Sequence, residues 1–425
     1  MKVYIKPNSS FFNPVRYVLK IIEKNRCVKF ELSDIIETAD LIWDTDDDRS
    51  ENIALSFYEE LSKSSPQLRG GNSLNENLEV NDGAGRVDII ATIFYMINCF
   101  QEINPVESDL DEFGRFRYAS SYQSKKGVID ENLVEKLIDR FCEEHSIIGT
   151  KKPSTFFISH DIDTIYGSFL QDGFWALKKM NIGVVLKLIL WEISRRPHWK
   201  NIDQIIKLNS EYDIRSTFFW LVNKGQGLQG IKNADYKIDS EQALLKLVSE
   251  SNNINGLHKS SSDMTINDEL KKGKIQTRYN RYHFLNFQTH RDWNKISDSE
   301  LNFDCSLGFA EHYGFRNSYG KAFQPFNISR NELHDFVEAP LNFMDTTFQS
   351  YLKSLTDSVG DTIIKMYEKN PLNCDFSLLW HNNFFTNYKY NSYLEEYKRI
   401  AAFIYENKIE CLAPNDLIKR NRLEW

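Results

Sequence analysis

From residue 153 onward the chain alternates short β-rich runs with helical stretches, and several of those runs end in a histidine or an aspartate. Thr155 to Ser159 is followed by helical patterns over 176–195 and 203–212, and Ser216 to Val222 by one from Glu241 to Ser249. Alternation of this kind specifies βα units and a mainly parallel sheet or barrel. Further strand candidates are Ile254 to Leu257, Tyr282 to Leu285, Phe336 to Pro340, Phe376 to Trp380 and Glu410 to Leu412. Side chains at the C-terminal strand ends build the active sites of α/β barrels. The residues that close these runs are therefore the candidates for chemistry.

Five short segments carry those residues. Ser159-His160-Asp161-Ile162-Asp163 sets two carboxylates two apart as the chain leaves a strand. Asn255-Gly256-Leu257-His258, Arg281-Tyr282-His283 and Leu378-Leu379-Trp380-His381 each deliver a histidine at the end of a strand-like run, and Gly314-Phe315-Arg316 adds a cation. One such histidine is more often a packed core residue than a ligand. Several strand ends bearing His or Asp together suit a divalent metal ion, zinc first, with one coordination position left for water.

Ahead of residue 150 the texture is different. Val3 to Ile5 reads as a strand and Pro14 to Glu23 as a helix with Val18, Ile21 and Ile22 on its apolar face. Leu41-Ile42-Trp43 runs into Asp44, Asp46, Asp47 and Asp48, a solvated acidic turn. Ser62 to Asn75 is loop-like, Asp88 caps a buried helix through Ile89, Ile93, Phe94 and Ile97, and a second helix runs from Glu131 to Cys142. With Gly149 to Pro153 as a hinge, residues 1–150 form a smaller α/β or α+β accessory unit of unassigned role, and residues 151–425 form the barrel.

Composition narrows the function classes. A formal charge of −8, from 52 Lys+Arg against 60 Asp+Glu, argues against a nucleic-acid partner. The six cysteines are scattered without a C-x-x-C pair, so neither a zinc-thiolate site nor a disulfide framework is signalled. The N-terminal segment has charges and a proline where a secretion signal needs an apolar core. Apolar runs such as Ile89 to Ile97 and Val184 to Trp191 fall short of the roughly 18–20 residues that span a bilayer. The expectation is a cytoplasmic protein without a transmembrane segment, its oligomeric state unspecified.

In their order along the chain, His160-Asp161-Ile162-Asp163, Gly256-Leu257-His258, Arg281-Tyr282-His283, Gly314-Phe315-Arg316 and Leu379-Trp380-His381 resemble the polysaccharide deacetylase family (NodB homology, carbohydrate esterase family 4). The similarity is to a branch with an additional N-terminal domain, and the segment from Asp88 through Gly114-Arg115-Phe116 is similar to that domain. The resemblance implies a distorted (β/α) barrel and a hydrolase acting on carbon–nitrogen bonds, which removes the acetyl group from an N-acetylated sugar in a polysaccharide or its precursor. It implies Asp161 as general base, Asp163 and His258 as metal ligands, Arg316 as the cation that orients Asp161, and His381 as general acid. The chain departs from the family at Ser262, which stands where the commoner His-x-x-x-His motif has its second histidine.

His283 is the candidate for the third ligand and His160 the next choice, while Lys259 disfavours a metal at His258 unless it points away. Tyr282, Phe315 and Trp380 are the aromatics placed to stack on a carbohydrate substrate. The lost histidine keeps open an inactive barrel that binds glycan or a protein partner, and a metal amidohydrolase acting on a small non-sugar amide is a further alternative. His198 sits in a basic loop and reads as solvated; His290, His312 and His334 carry no motif and are assigned surface or structural roles.

Overall fold

The computed structural model describes residues 1–63, 66 and 74–425; most of the loop expected from Ser62 to Asn75, namely residues 64, 65 and 67–73, lies outside these. Near the N-terminus, β1 (Lys2–Ile5) lies between β2 (Glu31–Leu32) and β3 (Leu41–Trp43) in a parallel sheet. Helices α1 (Phe12–Arg26), α2 (Leu55–Leu61), α3 (Ile89–Ile97), α4 (Tyr122–Lys126) and α5 (Leu133–Glu144) accompany it. All nine residues of α3 are buried, as a helix apolar on every face requires. Asp88 caps it, its carboxylate accepting from the backbone N–H of Ala91 at 2.8 Å and of Ala54 at 2.9 Å. Burial pushes this carboxyl up to about 7 against the pull of those bonds. In the acidic turn, Lys6 bridges Asp44 and Asp46, and Arg49 holds Asp47.

Eight parallel strands make the second layer: β4 (Thr155–Ile162), β5 (Thr217–Leu221), β6 (Ile254–Lys259), β7 (Tyr279–Tyr282), β8 (Phe303–Asp304), β11 (Val337–Glu338), β12 (Phe343–Met344) and β13 (Asp375–Leu379). An antiparallel hairpin of β9 (Phe326–Asn327) and β10 (Glu332–Leu333) interrupts the series. The order β11-β8-β7-β6-β5-β4-β13-β12 follows the chain around a ring that stays open between β11 and β12. Residues 339–342 connect those two strands, too few for a crossover, and no ladder joins them among the described residues. The result is a distorted, open (β/α) barrel.

Helices α6 (Ser168–Lys178), α7 (Ile182–Ile193), α8 (Ile202–Glu211), α9 (Gln242–Glu250), α10 (Ile266–Gly273), α11 (Thr289–Ser297) and α12 (Val359–Lys369) occupy the crossovers, and α13 (Asn391–Glu406) and α14 (Pro414–Asn421) close the chain. None is long and apolar enough to cross a membrane among the described residues.

Three expectations are corrected. The single helix over 176–195 is two helices, because Met180 turns left-handed (φ 53°) and Asn181 caps α7 through the Val184 N–H. The strand expected over Tyr282 to Leu285 ends at Tyr282, where the chain turns: Phe284 and Leu285 have φ of 62° and 48°. Glu410 to Leu412 is reduced to one bridge, Cys411 to Phe156.

The first 150 residues and the barrel share one apolar core. Tyr17 meets Phe94 and Phe326 edge to face, each at 5.6 Å, and its hydroxyl donates to the Gln324 carbonyl. Asn25 Nδ2 donates to the Tyr319 hydroxyl at 2.8 Å.

Candidate functional site

Because the barrel strands are parallel, their C-terminal ends share one rim. β4 brings Asp161 and, just past its end, Asp163; β6 brings His258; β7 hands over to His283; β12 to Asp345; β13 to His381. Asp163, His258 and His283 each offer a donor atom, and the three atoms lie within 4.8 Å of one another. His258 Nε2 is 3.3 Å from Asp163 Oδ1, and His283 Nε2 is 3.7 Å from Asp163 Oδ2. Donor atoms about 2.1 Å from a tetrahedral zinc ion are separated by roughly 3.4 Å, close to the approach of each histidine to the Asp163 carboxylate.

Tautomer and environment fit it as well. His258 Nδ1 donates to the Arg281 carbonyl at 2.9 Å, which turns Nε2 toward Asp163. Asp163 Oδ1 is buried without a hydrogen-bond partner of good geometry, an acceptor that an ion would complete. Partial burial works against ionisation of Asp163, but His283, His258 and His381 outweigh it and hold the carboxyl well below its usual range.

Two further groups flank this cluster. Asp161 Oδ2 is 3.4 Å from His258 Nε2, and its Oδ1 accepts from Arg281 at 2.9 Å. The Arg281 guanidinium is fully buried; it also donates to Ser159 Oγ and the Cys305 carbonyl and lies 4.8 Å from the Phe219 ring. Gly256 makes room for that ring, since a Cβ there would stand 2.4 Å from it. On the other side, His381 Nδ1 pairs with Asp345 Oδ1 at 2.7 Å while Nε2 lies 3.7 Å from Asp163. Burial disfavours the imidazolium, yet Asp345 raises the His381 pKa to about 10.

Several expected placements change. Arg316 does not reach Asp161: its guanidinium is locked onto Glu102 at 2.9 and 2.7 Å, and Arg281 makes the expected contact instead. His160 has both ring nitrogens engaged, Nδ1 with the Trp380 carbonyl and Nε2 with Asn209, and burial lowers its pKa to about 4. Lys259 points away into an ion pair with buried Glu269 at 2.8 Å, and Ser262 donates to the same carboxylate. Trp380 and Phe315 are fully buried, Trp380 against Tyr393 and Tyr397 and Phe315 against Phe376, so neither is free to stack on a sugar. Tyr282 lines a cleft of about 740 Å³ beside His283, together with Ser260, Ser261, Asp263 and Asn286. His198 is half-buried in an aromatic stack with Trp191 and Tyr388 rather than solvated.

Asp345 and Arg281 are the partners that sequence reasoning missed. For Asp345 the signal is faint: Leu341-Asn342-Phe343-Met344 precedes it, a stretch too short and too broken by Asn342 to show a strand period.

The turn that carries His283 is held from the other half of the chain. Arg115, paired with Asp111 at 2.6 Å, donates to the Phe284 carbonyl at 2.8 Å and lies over the Phe284 ring. Positive φ at two successive non-glycine residues costs on the order of 1–3 kcal/mol each and persists only where the surroundings impose it. If the Asp/His cluster holds a divalent ion, an Arg115→Ala variant is expected to weaken its affinity about tenfold, the lower end of the effect of groups that orient ligands, measured by calorimetric titration. Unchanged affinity would show that the turn holds itself.

Fold and site together define an open parallel (β/α) barrel with an Asp/His cluster at its strand ends. Residues 2–145 match a family described as a family of unknown function (DUF7033). No curated protein matches the chain. Among solved structures, a putative polysaccharide deacetylase from Mycobacterium smegmatis is similar at 11% identity and TM-score 0.36, covering 62% of this chain and 94% of that one. Puue allantoinase is similar at 10% identity and TM-score 0.40, covering 63% and 89%. A CE4 family pseudoenzyme from Bacillus anthracis is similar at 8% identity and TM-score 0.28, covering 66% and 73%.

Proposed function

We propose that the chain is a zinc-dependent hydrolase that removes the acetyl group from an N-acetylated sugar, as in the polysaccharide deacetylase family whose motif order it resembles. The observation that carries this reading is the convergence of Asp163, His258 and His283 donor atoms within 4.8 Å, flanked by Asp161 and His381, each with its own partner. Asp163, His258 and His283 would hold the ion, which when bound polarises the amide carbonyl and acidifies a water molecule. Asp161 accepts the proton of the attacking water, and Arg281 fixes the carboxylate so that one oxygen remains toward the site. His381 Nε2, steered by Asp345, delivers a proton to the departing amine. The cleft beside His283 would take the sugar, with Tyr282 the aromatic on its lining. In this reading residues 1–150 are an accessory unit that pins the His283 turn.

The test is amine release from N-acetylated oligosaccharides by the purified full chain with added zinc or cobalt. The native protein is expected to contain zinc and release amine, and Asp161→Asn to lower the rate about 10²–10⁴-fold while retaining the metal. A protein with no bound metal and no amine release would instead be an inactive glycan- or protein-binding barrel.

A further inference from the structure

Between β4 and α8 the barrel carries an inserted hairpin of α6 and α7 whose outward face is apolar. Leu170, Phe174, Leu177, Met180, Ile182 and Ile193 are each between 61% and 80% exposed. Leu170, Phe174 and Leu177 fall on one stripe of α6, as Ile182, Leu186 and Ile193 do on α7, so the exposure is a continuous face at helical spacing rather than scattered side chains. The inward face is small: Ala176, Val184 and Leu188 pack with Trp175, Trp191 and Tyr388. A soluble hairpin would place its polar residues outward. This one has apolar residues on both faces, which marks an interaction surface.

Charge identifies what covers it. Lys178, Lys179, Lys187, Arg195 and Arg196 are exposed around this face, and none pairs with a carboxylate among the described residues. The hairpin's two carboxylates do not offset them: Asp172 is buried and held by Lys389, Tyr388 and Trp199, leaving only Glu192 exposed. A chain of net charge −8 thus concentrates unpaired cations around this exposed apolar face. A second copy is a poor occupant, because a two-fold interface sets the same patch against itself and would bring like charges together. Spanning a bilayer is excluded by length, since helices of 11 and 12 residues reach about 16–18 Å against a hydrocarbon core of roughly 30 Å.

We propose that the α6–α7 hairpin is an interfacial anchor that lays its apolar face on a membrane surface rich in anionic lipid, with the five cations meeting the headgroups. The hairpin starts five residues after Asp163 and is tied to the β13 end by Tyr388, so it rises from the rim that bears the Asp/His cluster. Docking would hold that rim near the headgroup layer, where lipid-linked sugars are presented. That consequence rests on the proposed hydrolysis, whereas the docking does not.

Sedimentation of the full chain with vesicles tests it without any assay of activity. The protein is expected to pellet with phosphatidylcholine vesicles containing phosphatidylglycerol, and far less with phosphatidylcholine alone or in high salt. Phe174→Ser combined with Ile182→Ser is expected to weaken pelleting about tenfold or more, and Lys178→Glu with Lys179→Glu to remove the preference for anionic lipid. These residues are exposed, so circular dichroism and zinc binding should match those of the native chain. Failure to pellet with anionic vesicles overturns the proposal, as does pelleting indifferent to the serine substitutions. A dimer that the serine substitutions disperse, in a protein that ignores vesicles, assigns the face to a second copy instead.

Discussion

On the proposed reading, a His283→Ala variant is expected to bind zinc about 100-fold or more weakly than the native chain and to lose hydrolysis in proportion, with its unfolding midpoint nearly unchanged. Catalytic zinc sites use three protein ligands, and removing His283 leaves Asp163 and His258. Neither Ser262 nor His160 can substitute. Ser262, at the position of the usual second histidine, is committed to Glu269 at 2.7 Å, and the same carboxylate is neutralised by Lys259. His160 would have to abandon both of its hydrogen bonds and leave a fully buried position. Competition with a zinc-chelating dye gives the affinity directly. Native affinity in the variant would mean that His283 is not a ligand, and the site would then need a donor from Asp161 or His381.

The alternation after residue 153 made the long strands legible: β4, β5, β6 and β13 lie within a few residues of their expected bounds. Strands of two residues, such as β8 and β12, present no period to detect, and with β12 went the partner of His381. The break between α6 and α7 was hidden because apolar residues continue at helical spacing through it on an outward face. Which residues close each strand was readable; which guanidinium reaches Asp161 was not. Arg281 and Arg316 each sit in a short motif near the rim, and what removes Arg316 from Asp161 is Glu102, more than two hundred residues before it in sequence. Trp380 and Phe315 show the same limit: both lie outside the strands, and nothing in their motifs says that their rings turn into the core.

Removing the carboxylate of Glu102 should be the most destabilising change of any considered, about 3–5 kcal/mol for Glu102→Ala, although it lies outside the Asp/His cluster. The Arg316 guanidinium is 1% exposed, and Glu102 accepts from both its Nε and a terminal nitrogen. Its remaining contacts are the Gly308 carbonyl at 2.8 Å and the Phe309 ring. Without Glu102 a buried cation would face one carbonyl and an aromatic ring, and its desolvation would be left uncompensated. The pair also joins the first 150 residues to the loop after β8, so its loss loosens the attachment that lets Arg115 hold the His283 turn. Denaturant midpoints measure the cost, and Glu102→Leu with Arg316→Met should recover much of it, because matched apolar residues carry no stranded charge. If Arg316 instead served to orient Asp161, Glu102→Ala would change hydrolysis and leave stability within about 1 kcal/mol of native. The geometry predicts the reverse: a large stability loss, with the Asp161–Arg281 contact intact at 2.9 Å.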